Sequence, residues 1–378
     1  MNQFSFKRFL VLVLLIALGA GIGIGIQHYF FLKPASQDLA VTELSQVYVP
    51  QADNSFICEG ESTFSNNLYP SLMLSFGAVA PEFVKCITVH LKNVEQGQKY
   101  QIKVSSHLFQ VAFIKTIVME NSEFSFTPEI PWNYTALRSV NQLRPETIVI
   151  SVIASSGKTA QASFAVMIHP INEVVSKVFD SDTNQWQDTS ICFAAYVNEN
   201  HPLINGIIQD AVAKSGIARF SGYEFGSKTV KEQIQAVWDT LASRRLNYVD
   251  LATTSSQVSG VSSQYVRFID QSLKDQGANC VDASILFASI FRRIGLRSVL
   301  FFIPGHCFVG VYDTEKGGQL IGLETTLLSS ASFSDAVIAG DREMGMALET
   351  MGQSGYSSVD ISLARDSGVQ PIEFESTP

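Results

Sequence analysis

Hydrophobic positions near the start of the chain run on without polar periodicity. Residues 9–26 read FLVLVLLIALGAGIGIGI and carry no charge. At ~1.5 Å per residue this run is about 27 Å long, close to a ~30 Å hydrocarbon core. It predicts a single membrane-spanning helix over residues 9–28, followed by a mixed, polar linker over 29–50. Lys7 and Arg8 precede it, so the short segment 1–8 is expected in the cytoplasm and the bulk of the chain outside, in a periplasm or its equivalent. Tyr29, Phe30 and Phe31 follow where an interfacial aromatic belt would sit. Ala17-Leu18-Gly19 has the small-x-small pattern of a signal-peptide cleavage site, which makes secretion after cleavage the rival reading. The apolar run continues past that point, which favours a retained anchor. No cysteine lies near its end, so a lipoprotein anchor is not supported.

Over residues 51–170 the period changes to two. Short runs at 86–91, 100–104, 147–152 and 162–166 are rich in β-branched residues, and several alternate in polarity as half-buried strands do. Turn signals such as Glu95-Gln96-Gly97 and Ser155-Ser156-Gly157 separate them. This pattern predicts a β-sandwich. From 171 to 374 helical and strand periods mix, which predicts an α+β domain. Thr229-Val230-Lys231-Glu232 reads as a capping box, with Ile234, Val237, Trp238 and Leu241 as one apolar helical stripe behind it. The acidic end, 341–378, carries enough apolar residues to pack back on that domain.

Composition narrows the function classes. Of 378 residues, 46% are apolar and 16% charged, and the net charge is -9. Large cores are therefore available, while nucleic acid is excluded as a partner for want of clustered cations. Cys58, Cys86, Cys192, Cys280 and Cys307 show no CxxC spacing, so no zinc site is expected. Cys58 and Cys86 could bridge within the sandwich. No carboxylate loop suggests calcium, and no cofactor is called for.

The stretch 276–326 carries the candidate chemistry. Gly277 and Asn279 read as a turn and N-cap, and residues 280–291 as a buried helix ending in Arg292 and Arg293. Cys280 falls in its first turn, where the dipole and free amides favour a thiolate, the nucleophilic form. Residues 297–303, 306–312 and 320–326 read as strands, the last two joined by a hairpin through Gly317-Gly318. If Tyr312 pairs near Leu320, the numbering parity of His306 and Glu324 is compatible with a shared face. The carboxylate can then accept from one imidazole nitrogen and leave the other for the thiol proton.

The order Cys280, His306, Glu324 on a helix and two strands, with Gly-x-Asn-Cys-x-Asp at 277–282 and Gly-His-x-Phe-x-Gly-x-Tyr at 305–312, resembles the transglutaminase-like superfamily of papain-type enzymes. The resemblance covers roughly 230–330. It implies an α+β transglutaminase-like domain with Cys280 as nucleophile, His306 as base and Glu324 as orienting acid, acting on a protein or peptide substrate. The superfamily usually has Asp where this chain has Glu324, so the strand must sit slightly further away. The Cys280 amide is one expected oxyanion donor, and Gln276 is a candidate for another. Cys192 and Cys307 read as core, Trp238 as packing, and Asp282 as a cap of the first turn. Asn133-Tyr134-Thr135 matches a glycosylation sequon. The rival readings are an inactive binding or scaffold protein on the same fold, and an anchored adhesin.

Overall fold

The computed structural model describes residues 57–62, 66–76, 87–180, 183–249, 258–353 and 355–372. The expected anchor and linker, and Cys86 of the suggested bridge, lie outside them. No described helix is long and apolar enough to cross a membrane. The chain is mixed α+β and divides into two compact units between Glu173 and Val174, with the short segment from Asp180 to Gln185 returning to the first.

The first unit holds β1 (Ile57–Ser62), β2 (Asn67–Leu68), α1 (Pro70–Phe76), β3 (Ile87–Lys92), β4 (Lys99–Ser105), β5 (Phe113–Val118), β6 (Glu123–Phe126), α2 (Tyr134–Arg138), β7 (Arg144–Ala154) and β8 (Thr159–Ile168). They form a three-stranded sheet, β1-β3-β6, and a five-stranded sheet, β2-β8-β7-β4-β5. β1 packs on β7 and β8, so the sheets lie face to face. Alternation sets the register: Ile102 and Val104 of β4 pair with Val152 and Ile150 of β7, and all four are buried. Asn133 of the sequon caps α2, its Oδ1 accepting from the Ala136 amide at 3.0 Å.

The second unit contains β9 (Glu173–Asp180), β10 (Gln185–Asp188), α3 (Pro202–Ser215), α4 (Ser227–Ser243), β11 (Asn247–Tyr248), β12 (Val261–Tyr265), α5 (Ile269–Asp275), β13 (Gly277–Ala278) and α6 (Cys280–Arg293). β14 (Ser298–Ile303), β15 (His306–Tyr312), β16 (Leu320–Leu323), α7 (Phe333–Thr350), β17 (Ser357–Asp360) and α8 (Ile361–Asp366) follow. The central sheet is antiparallel, in the order β16-β15-β14-β17. α6 packs on β14 and β15, and residues 281–291 of it are all buried. Along β15, Val309 and Val311 alternate with Phe308 and Tyr312. The latter two join Val299, Phe301, Met344 and Ala347 in the core beneath α7.

Three sequence expectations shift. α4 starts at Ser227 rather than behind a Thr229–Glu232 capping box. Gly226, at φ +83°, turns the chain there, and the Thr229 hydroxyl donates back to the Gly226 carbonyl from inside the first turn. The apolar stripe Ile234, Val237, Trp238, Leu241 is nonetheless buried. The strand expected over 320–326 stops at Leu323, because the Glu324 amide bonds to the Ala336 carbonyl of α7 instead of to β15. Finally, β17 is a fourth strand of the central sheet that the polarity pattern does not predict.

Candidate active site

Three arms meet at His306. The first is α6. Its N-terminus is held by a reciprocal capping box: the Asp282 amide donates to Asn279 Oδ1 at 2.9 Å, and the Asn279 amide donates to Asp282 Oδ2 at 3.1 Å. Asp282 also accepts from the Arg267 amide at 2.7 Å and from the Arg267 guanidinium at 2.8 Å, both residues being buried. Burial pushes the Asp282 carboxyl up, and its bonds to Arg267 and Asn279 oppose that rise. Asp282 is therefore a structural clamp that fixes where the helix begins. Cys280 occupies the first helical position and is partly exposed.

The second arm is β15, which His306 opens. A two-residue turn, Pro304-Gly305, returns the chain from β14, with Ile303 paired to His306. Gly305 sits at φ +76°, a conformation that side chains with a Cβ rarely adopt. His306 is about a quarter exposed. Its neighbour Cys307 points to the other face and is fully buried, which pushes its thiol pKa up. Cys192 is buried as well.

The third arm is the end of β16. Tyr312 pairs with Leu320 and Val309 with Leu323, so Glu324 follows on the face that carries His306. His306 Nε2–H donates to Glu324 Oε2 at 2.6 Å, a length typical of a charge-assisted bond. The other oxygen, Oε1, accepts from the Thr326 amide at 2.9 Å and from the Thr326 hydroxyl. Since the strand has already turned towards α7 at this residue, the extra methylene of Glu relative to Asp is accommodated. A second link ties the cysteine and glutamate arms. Ser284 Oγ donates to the Cys280 carbonyl at 2.7 Å and lies 3.2 Å from Thr325 Oγ1.

Because Nε2 serves the carboxylate, Nδ1 remains for the thiol. Hydrogen bonding with Cys280, then with Glu324 and Glu343, raises the His306 pKa to about 12 against the opposing effect of burial. Burial alone would raise Glu324, but hydrogen bonds with His306, Glu343 and Thr326 outweigh it and hold the carboxyl at about 2. The pairing therefore favours an imidazolium facing a carboxylate.

Glu343 and Thr326 were not among the residues singled out from sequence. Glu343 lies on α7, and its Oε2 is 3.5 Å from His306 Nε2. Burial raises its carboxyl pKa; the bond with His306 opposes this and the one with Glu324 adds to it. No sequence signal marks it, since it is an ordinary helical Glu nineteen residues beyond Glu324. Gln276, the second oxyanion candidate, is the C-cap of α5 at φ +49° with an exposed side chain. The Cys280 amide, at the first turn of α6, needs no partner inside the helix and is placed to receive a developing oxyanion.

Among the described residues, His306, Glu324 and Glu343 are the one grouping of three metal-ligand side chains. The 2.6 Å separation of Nε2 and Oε2 is shorter than the ~3.3 Å expected between two ligands on a tetrahedral zinc with ~2.0 Å bonds. The geometry is that of a hydrogen-bonded pair rather than of an ion cage.

Comparison with known proteins adds little. No protein-family model and no curated protein matches the chain. Among solved structures, a Cytophaga hutchinsonii protein described as a "Putative Cysteine Protease" matches over 64% of this chain and 72% of its own, at 13% identity and a TM-score of 0.23. A Parabacteroides distasonis protein described as a "putative protease" matches over 87% of this chain and 59% of its own, at 12% identity and a TM-score of 0.26. Similarity this weak carries no argument about activity.

Proposed function

We propose that this chain is a cysteine-dependent acyl-transfer enzyme acting on amide bonds, a peptidase, amidase or transglutaminase of the transglutaminase-like kind. The observation that carries the reading is the 2.6 Å His306–Glu324 pair beside a helix that opens on the partly exposed Cys280, whose thiol acts electrostatically on His306. In the proposed reaction the Cys280 thiolate adds to the amide carbonyl, and the Cys280 amide receives the oxyanion. Collapse of the adduct breaks the C–N bond, and His306 gives its Nδ1 proton to the departing amine. A thioester remains. Water or a second amine then attacks it, His306 takes the attacking proton, and the thiolate is regenerated with release of acid or new amide. Glu324 holds the imidazole orientation and its positive charge throughout. An extracytoplasmic location, through the apolar segment 9–28, belongs to this proposal, and protein or peptide is the proposed substrate.

The rival reading, an inactive scaffold, would be favoured by a misplaced Glu324 or an inaccessible Cys280. The 2.6 Å bond and the partial exposure of Cys280 support the enzyme instead. The deciding experiment is the rate of iodoacetamide alkylation of Cys280 against pH, in the wild type and in His306→Ala. The expected result is a thiol reactive at pH 6 that loses at least tenfold in rate without His306. Equal, slow reaction in both proteins would overturn the reading.

A further inference from the structure

We propose that Glu343 is a positioning residue of the Cys280–His306–Glu324 assembly, donating a hydrogen bond as a neutral acid to the Glu324 carboxylate. The inference rests on the acyl-transfer reading and adds a fourth member to that site.

Backbone contact determines where Glu343 sits. A Cβ on Gly322 would lie 2.3 Å from the Gly340 carbonyl carbon, and one on Gly340 would lie 2.4 Å from the Leu323 nitrogen. α7 and the end of β16 therefore touch main chain to main chain. The Gly322 amide donates to Asp341 Oδ1 at 2.7 Å and the Glu324 amide to the Ala336 carbonyl at 3.0 Å, which fixes the register of helix on strand. Glu324 lies two residues past one glycine. Glu343 lies three past the other, on the same helical face as Gly340. The two carboxylates are thereby brought to one point beside His306, all three ligand atoms lying within 4.8 Å of one another.

The proton count at that point decides the state of Glu343. His306 Nε2 offers one hydrogen, and Glu324 takes it at 2.6 Å. Glu343 Oε2, at 3.5 Å from the same nitrogen, is in ion-pair range but makes no hydrogen bond of its own with His306. A carboxylate with one oxygen buried and without a hydrogen bond, next to a second carboxylate, is disfavoured on both counts. A proton on Glu343 removes both penalties, since the acid O–H can then point at Glu324.

The titratable groups facing Glu343 are His306 from β15 and Glu324 from the end of β16, with Cys280 beyond His306. β14 presents Val299 and Phe301 to α7, and α4 presents Trp238. On α7 itself Asp341 is turned to Gly322, and Arg342 is exposed. The raised carboxyl pKa of Glu343 agrees with this geometry. As a neutral donor, Glu343 holds Glu324 on His306 without adding a second negative charge to the imidazolium.

The test uses the whole protein, with iodoacetamide as the probe of Cys280, and needs no substrate. Glu343→Gln keeps a donor at this position, whereas Glu343→Ala removes it. The expected result is that Glu343→Gln alkylates within about twofold of wild type across pH 5–8, while Glu343→Ala loses about tenfold at pH 6 with its thermal midpoint retained. Infrared difference spectra of the wild type at pH 6 should also show the carbonyl stretch of a protonated carboxylic acid, absent in Glu343→Gln. A merely structural Glu343 predicts no such band, and equal effects of Gln and Ala. Wild-type rates in Glu343→Ala, or no acid band in the wild type, would overturn the inference. Failure of the enzyme reading looks different: wild-type Cys280 would then react no faster than in His306→Ala.

Discussion

At the scale of single residues, His306 and Glu324 form a pair in which each favours the charged form of the other. Glu324→Gln preserves shape but removes the charge that stabilises the His306 imidazolium. It should lower kcat by roughly 10²–10⁴ on any amide substrate that is identified, with a smaller effect on KM. The same pair makes stability depend on pH. Glu324 is lowered from 4.5 to about 2, so its contribution is present above 4.5 and fades as pH falls through 2. His306 is raised from 6.5 to about 12, so its contribution is full below 6.5 and fades as pH rises towards 12. Both act fully only between about pH 4.5 and 6.5. The difference in urea midpoint between wild type and the His306→Gln/Glu324→Gln double variant should peak in that window. A difference that does not vary with pH would mean the pair contributes nothing through charge.

At the scale of elements, two contacts carry the geometry. One is the crossing of α7 over β16, where Gly322 and Gly340 leave no room for a Cβ. Gly340→Ala should destabilise the protein by at least ~1–3 kcal/mol in chemical denaturation, because the obstacle is backbone and cannot move aside. Gly345, on the same helix with nothing within 4 Å of a built Cβ, supplies the control. Its replacement by Ala should stabilise by ~0.5–1 kcal/mol. The other contact is the buried Arg267–Asp282 pair at the start of α6. Arg267→Ala leaves Asp282 buried without its cation and should cost ~3–5 kcal/mol. Equilibrium unfolding would show this, and a loss below 1 kcal/mol would mean the capping box alone holds the helix start.

At the scale of the whole molecule, burial sorts the cysteines by role. Cys192 and Cys307 lie in the core of the second unit, and Cys280 alone of these three is accessible. Brief alkylation of the native protein followed by peptide mapping should mark Cys280 well before the other two. Those should react only once the protein is denatured. Cys307 reacting first would place the wrong sulfur at the site. The tail matters at this scale too. β17 pairs with β14, and the Arg365 guanidinium of α8 donates to the Ala194, Val197 and Val369 carbonyls deep in the unit.

What was legible in the sequence was what local chemistry dictates. Asn279 before an apolar run marks a capped helix, and Cys280 follows from it. The strands around His306 announce themselves through β-branched and aromatic residues, and the hairpin length sets Tyr312 against Leu320 and thus the shared face of His306 and Glu324. The early end of β16 was not legible, because it depends on the Ala336 carbonyl of a helix that comes later in the chain. Nor was β17, whose Ser-Ser-Val-Asp sequence has almost no strand character and which pairs because β14 offers it an edge. Thr326 and Glu343 join the site for the same reason. Their side chains are unremarkable in sequence; only the turn after Glu324 brings Thr326 to that carboxylate, and only the close crossing of α7 on β16 brings Glu343 to the imidazole. Periodicity and turn chemistry act between near neighbours and can be read along the chain. The proton balance among His306, Glu324 and Glu343 is a property of distances between elements, and it exists only once those elements have packed.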